Sequence, residues 1–202
     1  MSILTINFKN RRSKSLAITG IFTGLYAIFN FIGIPEFSSF EHIINYICAF
    51  LFGPYVAVIS SVAGELLLAP LKNPLFLPSV LMGNIATALI LGFGRKLTPK
   101  FQKLTGYPVK KSRYLTESLV YVISLFVRYF IYIGYGGILV LIGIDYALIY
   151  FVVFFLIVTA FKAAWIPVCQ SIIEAIRKNM TVVYFDREPF TIDQNAENNK
   201  IS

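Results

Sequence analysis

The sequence predicts an all-α integral membrane protein, a bundle of six transmembrane helices with both termini in the cytoplasm. Hydrophobic residues make up 57% of the 202 residues and charged residues only 14%, whereas about a quarter of a soluble domain is charged. The apolar residues form continuous runs, unlike the alternating segments of about ten residues in a β-barrel. The formal net charge of +8 comes from basic residues beside these runs. Membrane topology therefore explains the charge better than nucleic-acid binding does.

The first apolar run covers residues 15–34 and follows a basic N-terminal segment, residues 1–14. Its length is close to that needed to cross a bilayer. A signal peptide is the competing interpretation, but its apolar core would be shorter and a small-residue cleavage site would follow it. Pro35 and Glu36 follow instead. We therefore assign residues 15–34 as the first span.

Small residues form a stripe on this first span. Gly20 and Gly24 are four residues apart, and Thr23 and Ala27 form a second small pair beside them. On a helix, such a stripe lets another backbone approach closely. The stripe indicates either packing within the same protein or a docking face for a partner's helix.

The segment 52–96 organises the centre of the chain. The second run, 42–52, and the third, 55–69, meet at Gly53-Pro54, and each is shorter than the ~20 residues of a comfortable span. They are either two short tilted helices or one re-entrant pair. Either arrangement returns the chain to the side from which it came. The fourth run covers residues 79–93.

The second half of the chain contains the last two predicted spans. A strongly basic loop, 95–116, precedes the fifth run, 115–134. The glycine-rich segment 134–137 is predicted to be a flexible turn, from which a further apolar stretch leads towards the last helix. That helix is expected over 150–176, with a bend at Pro167.

Charge asymmetry sets the predicted orientation. The membrane domain covers residues 15–178, and a polar tail, 179–202, ends the chain. With six spans, the N-terminal basic residues, the basic loop and Arg177-Lys178 all fall on one side, while Lys72 is the lone basic residue in the opposite loops. The positive-inside rule makes the common side the cytoplasm of a multi-pass protein in the cell membrane.

Four polar residues interrupt the apolar runs, where charged groups are costly and usually face a cavity or a partner. They are Glu65, Asn84, Arg128 and Lys162. The alternatives are that the two cations snorkel to an interface, that Glu65 neutralises Lys72 or Arg128, and that Asn84 bonds one helix to another. Two cations, a carboxylate, an amide and nearby aromatic residues suit a small polar or anionic ligand with a flat ring.

The predicted ligand site lies towards the outer face. The loops around Pro35, Lys72 and Gly134 are expected to close it. Two tyrosines near Gly134, Tyr132 and Tyr135, are candidates for lining its mouth, as is Tyr146.

The sequence offers little for catalysis. His42 is the only histidine, so neither a histidine-based metal cluster nor a serine–histidine relay is expected. No phosphate-binding loop of the G-x-x-x-x-G-K-[ST] type occurs, and Gly92-Phe93-Gly94 lacks the third glycine of a dinucleotide fingerprint. Cys48 and Cys169 lie in apolar runs and are read as buried thiols. We therefore predict no catalytic, metal or cofactor site.

Residues 14–178 resemble the substrate-binding S components of energy-coupling factor (ECF) transporters in layout and short motifs. Leu51-Phe52-Gly53-Pro54, followed by Gly64-Glu65, is similar to the family's GP turn and its glycine–acidic pair one helix later. Gly83-Asn84 and Gly92 resemble the glycine-marked fourth helix. Thr159-Ala160-Phe161-Lys162 is similar to an Asn-x-x-Lys pattern of the sixth helix, with threonine in place of asparagine.

The resemblance implies a function and a set of partners. The protein would capture a vitamin or related micronutrient at the outer face and deliver it through a transmembrane T component driven by two ATPases. Thr159 and Lys162 would contact the substrate. Small residues of the first helix would dock on the T component, and these are Ala17, Gly20, Gly24 and Ala27.

Two other functions stay open at this point. One is a membrane scaffold or assembly protein that docks through its first helix. The other is a small membrane enzyme that uses Glu65, Arg128 and Lys162 on a lipid-like substrate. The sequence does not name the vitamin, and riboflavin-like, folate-like and pantothenate-like ligands all remain.

Overall fold

The computed structural model describes residues 11–32, 41–71 and 74–179, and all regular structure in these ranges is helical. Short 3-10 segments extend two of the helices, at Ala69–Leu71 and Arg95–Leu97. The α-helices are α1 (Arg11–Ile32), α2 (Glu41–Phe52), α3 (Pro54–Leu68), α4 (Leu77–Gly94), α5 (Thr98–Thr105), α6 (Val109–Leu141), α7 (Ala147–Ala164) and α8 (Ile166–Asn179). The prediction of an all-α fold is therefore confirmed for this part of the chain.

Five helical segments are long and apolar enough to cross a bilayer. They are Ser15–Ile32, Pro54–Leu71, Leu77–Thr105, Val109–Leu141 and Ala147–Ala164. This pattern is compatible with a multi-pass membrane protein. The second predicted span is a helix of 12 residues, about 18 Å long at 1.5 Å per residue, and is shorter than the roughly 30 Å hydrocarbon core. The count of six spans and the placement of the termini stay predictions.

The second and third runs form a short buried helix followed directly by a full-length candidate span. Gly53 alone separates α2 from α3, with φ of 99°, a left-handed conformation that favours glycine. Pro54 then begins α3 at a position where its missing N–H costs no hydrogen bond. Residues 41–51 of α2 are all buried, so this helix is enclosed by the others.

The prediction of a flexible turn at 134–137 is wrong. These residues lie inside α6, which continues unbroken to Leu141. The ring of Phe151 on α7 packs where a Cβ of Gly136 would be, at 3.1–3.2 Å, so this glycine serves close helix packing. The chain turns after α6 instead, where Gly143 has φ of 93°.

The last predicted helix, 150–176, is divided into α7 and α8 at Trp165. Pro167 is the second residue of α8, where proline is tolerated because the N–H groups of a first turn have no partner within the helix. The predicted bend near Pro167 is therefore confirmed, as a break between two helices.

The helices enclose two apolar clusters at opposite ends of the bundle. The larger cluster joins α2, the beginning of α3, the end of α4, the first half of α6 and α8, for example through Phe50, Leu91 and Ile173. The smaller cluster joins the end of α6 to the beginning of α7 around Phe151. Buried polar residues lie between the two clusters.

Candidate ligand-binding site

The centre of the polar layer is a group of three buried charges from three helices. Glu41 begins α2, Arg128 lies in α6 and Lys162 lies near the end of α7. Glu41 Oε1 is 3.7 Å from Arg128 Nη2 and also 3.7 Å from Lys162 Nζ. The exposed fractions of the Arg128 and Lys162 side chains are only 5% and 3%. The two cations therefore lie inside the bundle and do not snorkel to an interface.

Contacts along α6 and from α4 orient Arg128. Its Nε donates a hydrogen bond to Tyr132 Oη at 2.6 Å, one helical turn away, and the guanidinium carbon lies 5.4 Å from the centre of the same ring. A Cβ at Gly83 of α4 would come within 3.0 Å of the Arg128 side chain and 3.2 Å of Tyr132. Gly83 thus leaves the space that these two side chains occupy.

A second set of buried polar groups connects α1, α3 and α4. Glu65 Oε2 accepts hydrogen bonds from Asn30 Nδ2 at 2.8 Å and from Tyr26 Oη at 3.4 Å. Asn84 Nδ2 donates to Tyr26 Oη at 2.6 Å. A Cβ at Gly64 would meet the Tyr26 ring at 2.6 Å, so the absence of a side chain there lets Tyr26 reach this position.

The two polar groups form one electrostatic neighbourhood. Lys162 interacts with Glu65 as well as with Arg128 and Glu41, and Tyr26 interacts with Glu41 and Glu65. In a low-dielectric interior such interactions are far stronger than in water. The charges of the two groups therefore act on one another.

Aromatic side chains cover the polar layer on the side where α4 and α7 begin. Tyr135 Oη donates to the backbone oxygen of Leu75 at 2.8 Å. Phe76 stacks on Tyr150, with ring centres 5.6 Å apart, and Phe151 packs edge-on against Phe76. These rings offer the apolar surface that the flat part of a ligand needs.

The structure places four of the predicted site residues in two neighbouring buried groups, with Glu65 and Asn84 in one and Arg128 and Lys162 in the other. The predicted pairing of Glu65 with Arg128 is replaced by a contact between Glu41 and both cations. Asn84 does bond helix to helix, through Tyr26.

The other predicted residues stand apart from this group. Thr159 is half-buried on α7, one turn before Lys162, and the contacts described above do not include it. Lys72 and Pro35 lie outside the described residues. Tyr132 is buried in the site and Tyr135 half-buried beside it, but Tyr146 is 73% exposed. Gly134 lies within α6 and therefore does not form a loop that closes the site.

Sequence reasoning missed Glu41, Tyr26 and Asn30 as site residues. Glu41 comes directly before the second predicted run, and Tyr26 and Asn30 lie within the first, so none of them interrupts an apolar run. One signal was available, because Tyr26 and Asn30 are four residues apart, as are Glu41 and Asn45. Residues at this spacing share one face of a helix.

The small-residue stripe of α1 faces away from the bundle. Among the described residues, no heavy atom lies within 4 Å of a Cβ placed on Gly20 or Gly24, and Ala17 and Ala27 are only half-buried. Of the five candidate spans, α1 is the least enclosed: 6% of its apolar window is buried, against 25–39% for the others. The described part of the chain therefore leaves this face uncovered.

The thiols and acidic groups offer no metal site in the described ranges. No group of three or more His, Cys, Asp or Glu residues there is placed to hold a metal ion. Cys48 and Cys169 are both free and buried. Cys169 is part of the larger apolar cluster, where its side chain is shielded from solvent.

Comparison of the chain with protein-family models, with curated proteins and with solved structures finds no match. In the described ranges, the fold and the site define a helical bundle with five candidate membrane spans, a buried charged centre and one helix that is little enclosed.

Proposed function

We propose that this chain is the substrate-capturing S component of an ECF-type importer. In this proposal it crosses the cell membrane six times, with both termini in the cytoplasm, and binds a vitamin or related micronutrient from outside. A T component and two ATPases supply the partner surface and the energy. The protein itself is not an enzyme.

The observation that carries the proposal is the charged centre formed by Glu41, Arg128 and Lys162. Buried charges in a membrane protein are expensive and usually mark a pathway or a binding site. Here three helices bring them together, and Tyr132 and Gly83 hold Arg128 in place. Aromatic rings lie next to the charges, which is the usual composition of a small-molecule site.

Two packing contacts support a common side for the termini. Ile18, early in α1, and Ile173, in α8, both belong to the larger apolar cluster. Exposed lysines follow α4 and begin α6 at the same end of the bundle, including Lys100, Lys103 and Lys110. The positive-inside rule favours the cytoplasm for this end, and the site then opens towards the outer face.

The open stripe on α1 supports the docking part of the proposal. Gly20 and Gly24 make no contact within the bundle that a side chain would disturb. Without a hydrophobic driving force between helices in lipid, small residues let backbones approach and gain van der Waals contact. A T component's helix would find a smooth surface here.

Native mass spectrometry tests capture directly. The protein is purified in mild detergent, incubated with a panel of vitamins and compared with Lys162→Met. An exposed cation, Lys100→Met, is the matched control. We expect a bound small molecule in the wild type and in the control, and its loss in Lys162→Met. Absence of any adduct from a folded wild-type protein would refute the capture role.

Reconstitution tests the transport role. With a T component and two ATPases in vesicles, we expect uptake of the captured ligand that depends on ATP. Gly24→Leu should retain ligand binding but fail to assemble with the T component, because the side chain would project from the open stripe. Ala160→Leu, an exposed position on α7, is the control for added bulk on a lipid-facing surface.

The open stripe also favours a second function, a membrane scaffold that docks through α1. A scaffold would lose its partner in Gly24→Leu but would retain full function in Lys162→Met. The two variants together therefore separate the scaffold from the importer subunit.

A further inference from the structure

The charged centre has fewer hydrogen bonds than its buried charges require. Both ion pairs to Glu41 are 3.7 Å long, which exceeds hydrogen-bond distance. Arg128 Nη1 and Glu41 Oε2 are buried and have no hydrogen-bond partner among the described residues. A buried guanidinium is favourable only when its N–H groups are bonded.

Among the described side chains that meet directly at this point, two cations, Arg128 and Lys162, contact one carboxylate, that of Glu41. The carboxylate of Glu65 belongs to the neighbouring polar group, where it accepts hydrogen bonds from Asn30 and Tyr26. An added group with one negative charge and oxygen acceptors would neutralise the centre. It would also supply the acceptor that Arg128 Nη1 lacks. Planar carboxylates and phosphates match the fork of a guanidinium.

We infer that the ligand carries an oxyanion, either a carboxylate or a phosphate, that binds between Arg128 and Lys162. Glu41 is its internal competitor, a carboxylate that keeps the two cations together when the site is empty and opposes the ligand's charge when it is occupied. This inference rests on the proposed capture function and adds the chemical class of the ligand.

A simpler alternative is that Lys162 only neutralises Glu41 and does not contact the ligand. In that case, removing both charges would restore normal binding. If Lys162 binds the ligand's oxyanion, the loss caused by Lys162→Met persists when Glu41 is also changed. The two schemes therefore predict opposite outcomes for the double variant.

The test measures affinities for acid and neutral forms of the same molecule. Suitable pairs are pantothenate and panthenol, biotin and biotinamide, and riboflavin 5′-phosphate and riboflavin. Isothermal titration in detergent gives Kd for each member of a pair. Comparison of the carboxylate pairs with the phosphate pair shows which oxyanion the site takes.

We expect an acid form to bind and its neutral partner to bind more weakly. Lys162→Met and Arg128→Gln should each weaken the acid form by about 30-fold or more, the loss expected for one partner of a buried charge pair. Glu41→Gln should tighten the acid form by roughly tenfold, because a like charge within a few ångströms is removed. The neutral form should change little in all three variants.

The control is Glu117→Gln, which changes another buried carboxylate. Glu117 pairs with Arg177, near the end of the bundle where α8 packs on α6, and this variant should leave both affinities unchanged. Because Glu41→Gln alone leaves two cations without a counter-ion, the charge-conserving double variant Glu41→Gln/Lys162→Gln is measured beside it. We expect it to fold and to bind the acid form as weakly as Lys162→Met.

Specific results would overturn the inference. Equal affinity for acid and neutral forms, weaker acid binding in Glu41→Gln, or wild-type affinity in the double variant would each contradict it. In all three cases a ligand still binds, so the capture function is retained and only the inference that the ligand carries an oxyanion is refuted. Failure of every probe to bind folded wild-type protein contradicts both.

Discussion

Replacing Gly92 by alanine should destabilise the protein by pushing α4 away from α3. A Cβ on Gly92 would lie 2.5 Å from both Cα and N of Pro54, whereas carbon atoms in contact are normally about 3.5–4.0 Å apart. The neighbour is backbone in the first turn of α3 and is fixed by the left-handed Gly53. The two helices must therefore separate by about 1 Å.

Overpacking of this kind typically costs 1–3 kcal/mol, and the rigid neighbour favours a value of about 3 kcal/mol. For a chain of this length, each kcal/mol lowers Tm by roughly 2–4 °C, so we expect a decrease of roughly 6–12 °C. The fluorescence of Trp165, the one tryptophan in the sequence, reports unfolding because this residue packs against the larger apolar cluster. Scans of detergent-solubilised protein at one heating rate make the variants comparable.

Gly137→Ala is the matched control for Gly92→Ala. Gly137 lies within α6, and no heavy atom is within 4 Å of the added Cβ. Alanine favours a helix over glycine by up to about 1 kcal/mol, so Tm should stay unchanged or rise. An equal Tm for the two variants, or a Gly92→Ala protein as stable as the wild type, would refute the packing argument.

Three further predictions concern residues outside the charged centre. Arg177→Gln should lower the free energy of unfolding by roughly 3 kcal/mol because Glu117 loses its 2.6 Å ion pair. Adding Glu117→Gln should recover much of the lost stability, and a Tm unchanged by Arg177→Gln alone would contradict the prediction. Because the Cys169 thiol is buried, its alkylation at pH 8, followed by mass spectrometry, should be slow until the protein unfolds. Rapid labelling of Cys169 in the folded wild-type protein would contradict this burial. Tyr26→Phe should cost about 1–3 kcal/mol by removing the partner of Asn84 Nδ2, whereas a thermal scan identical to that of the wild type would show that the hydrogen bond contributes nothing.

Much of the fold follows from sequence patterns that have a direct physical cause. The continuous apolar runs predicted helices because a lipid environment leaves backbone groups no other partner. Glycines within the apolar helices of the segment 52–96 are consistent with close packing, and Gly92 does approach Pro54 closely, as Gly64 approaches Tyr26. Gly53-Pro54 predicted a break, and the chain does turn there.

The glycine cluster 134–137 shows where local patterns fail. Glycine favours a turn and also permits close helix packing, and the sequence around it does not distinguish the two. At Gly136 the role is close helix packing, because the Phe151 side chain of α7 lies where a Cβ would be. The turn itself needs the left-handed Gly143, nine residues after Gly134.

The two cations of the candidate site could be predicted from the sequence, but its carboxylate could not. Arg128 and Lys162 stand out because each interrupts an apolar run. Glu41 does not, because it begins a helix after a polar segment, and only the folded chain shows that α2 is enclosed and begins beside two cations. A site formed by three helices depends on packing that no single stretch of sequence specifies.

In the proposed importer, ligand capture and partner docking would involve the same helix, α1, through Tyr26 on one face and the open stripe on the other. The Tyr26 hydroxyl joins Glu65 and Asn84 on the inner face of α1, while Gly20 and Gly24 form the open stripe on the outer face. A ligand that draws on Glu65 or Asn84 would change the hydrogen bonds that hold α1 to α3 and α4. By reciprocity, any effect of the ligand on docking must equal the effect of docking on ligand affinity. In the proposed importer, the inner face of α1 is therefore the shortest physical connection between an occupied site and the partner that empties it.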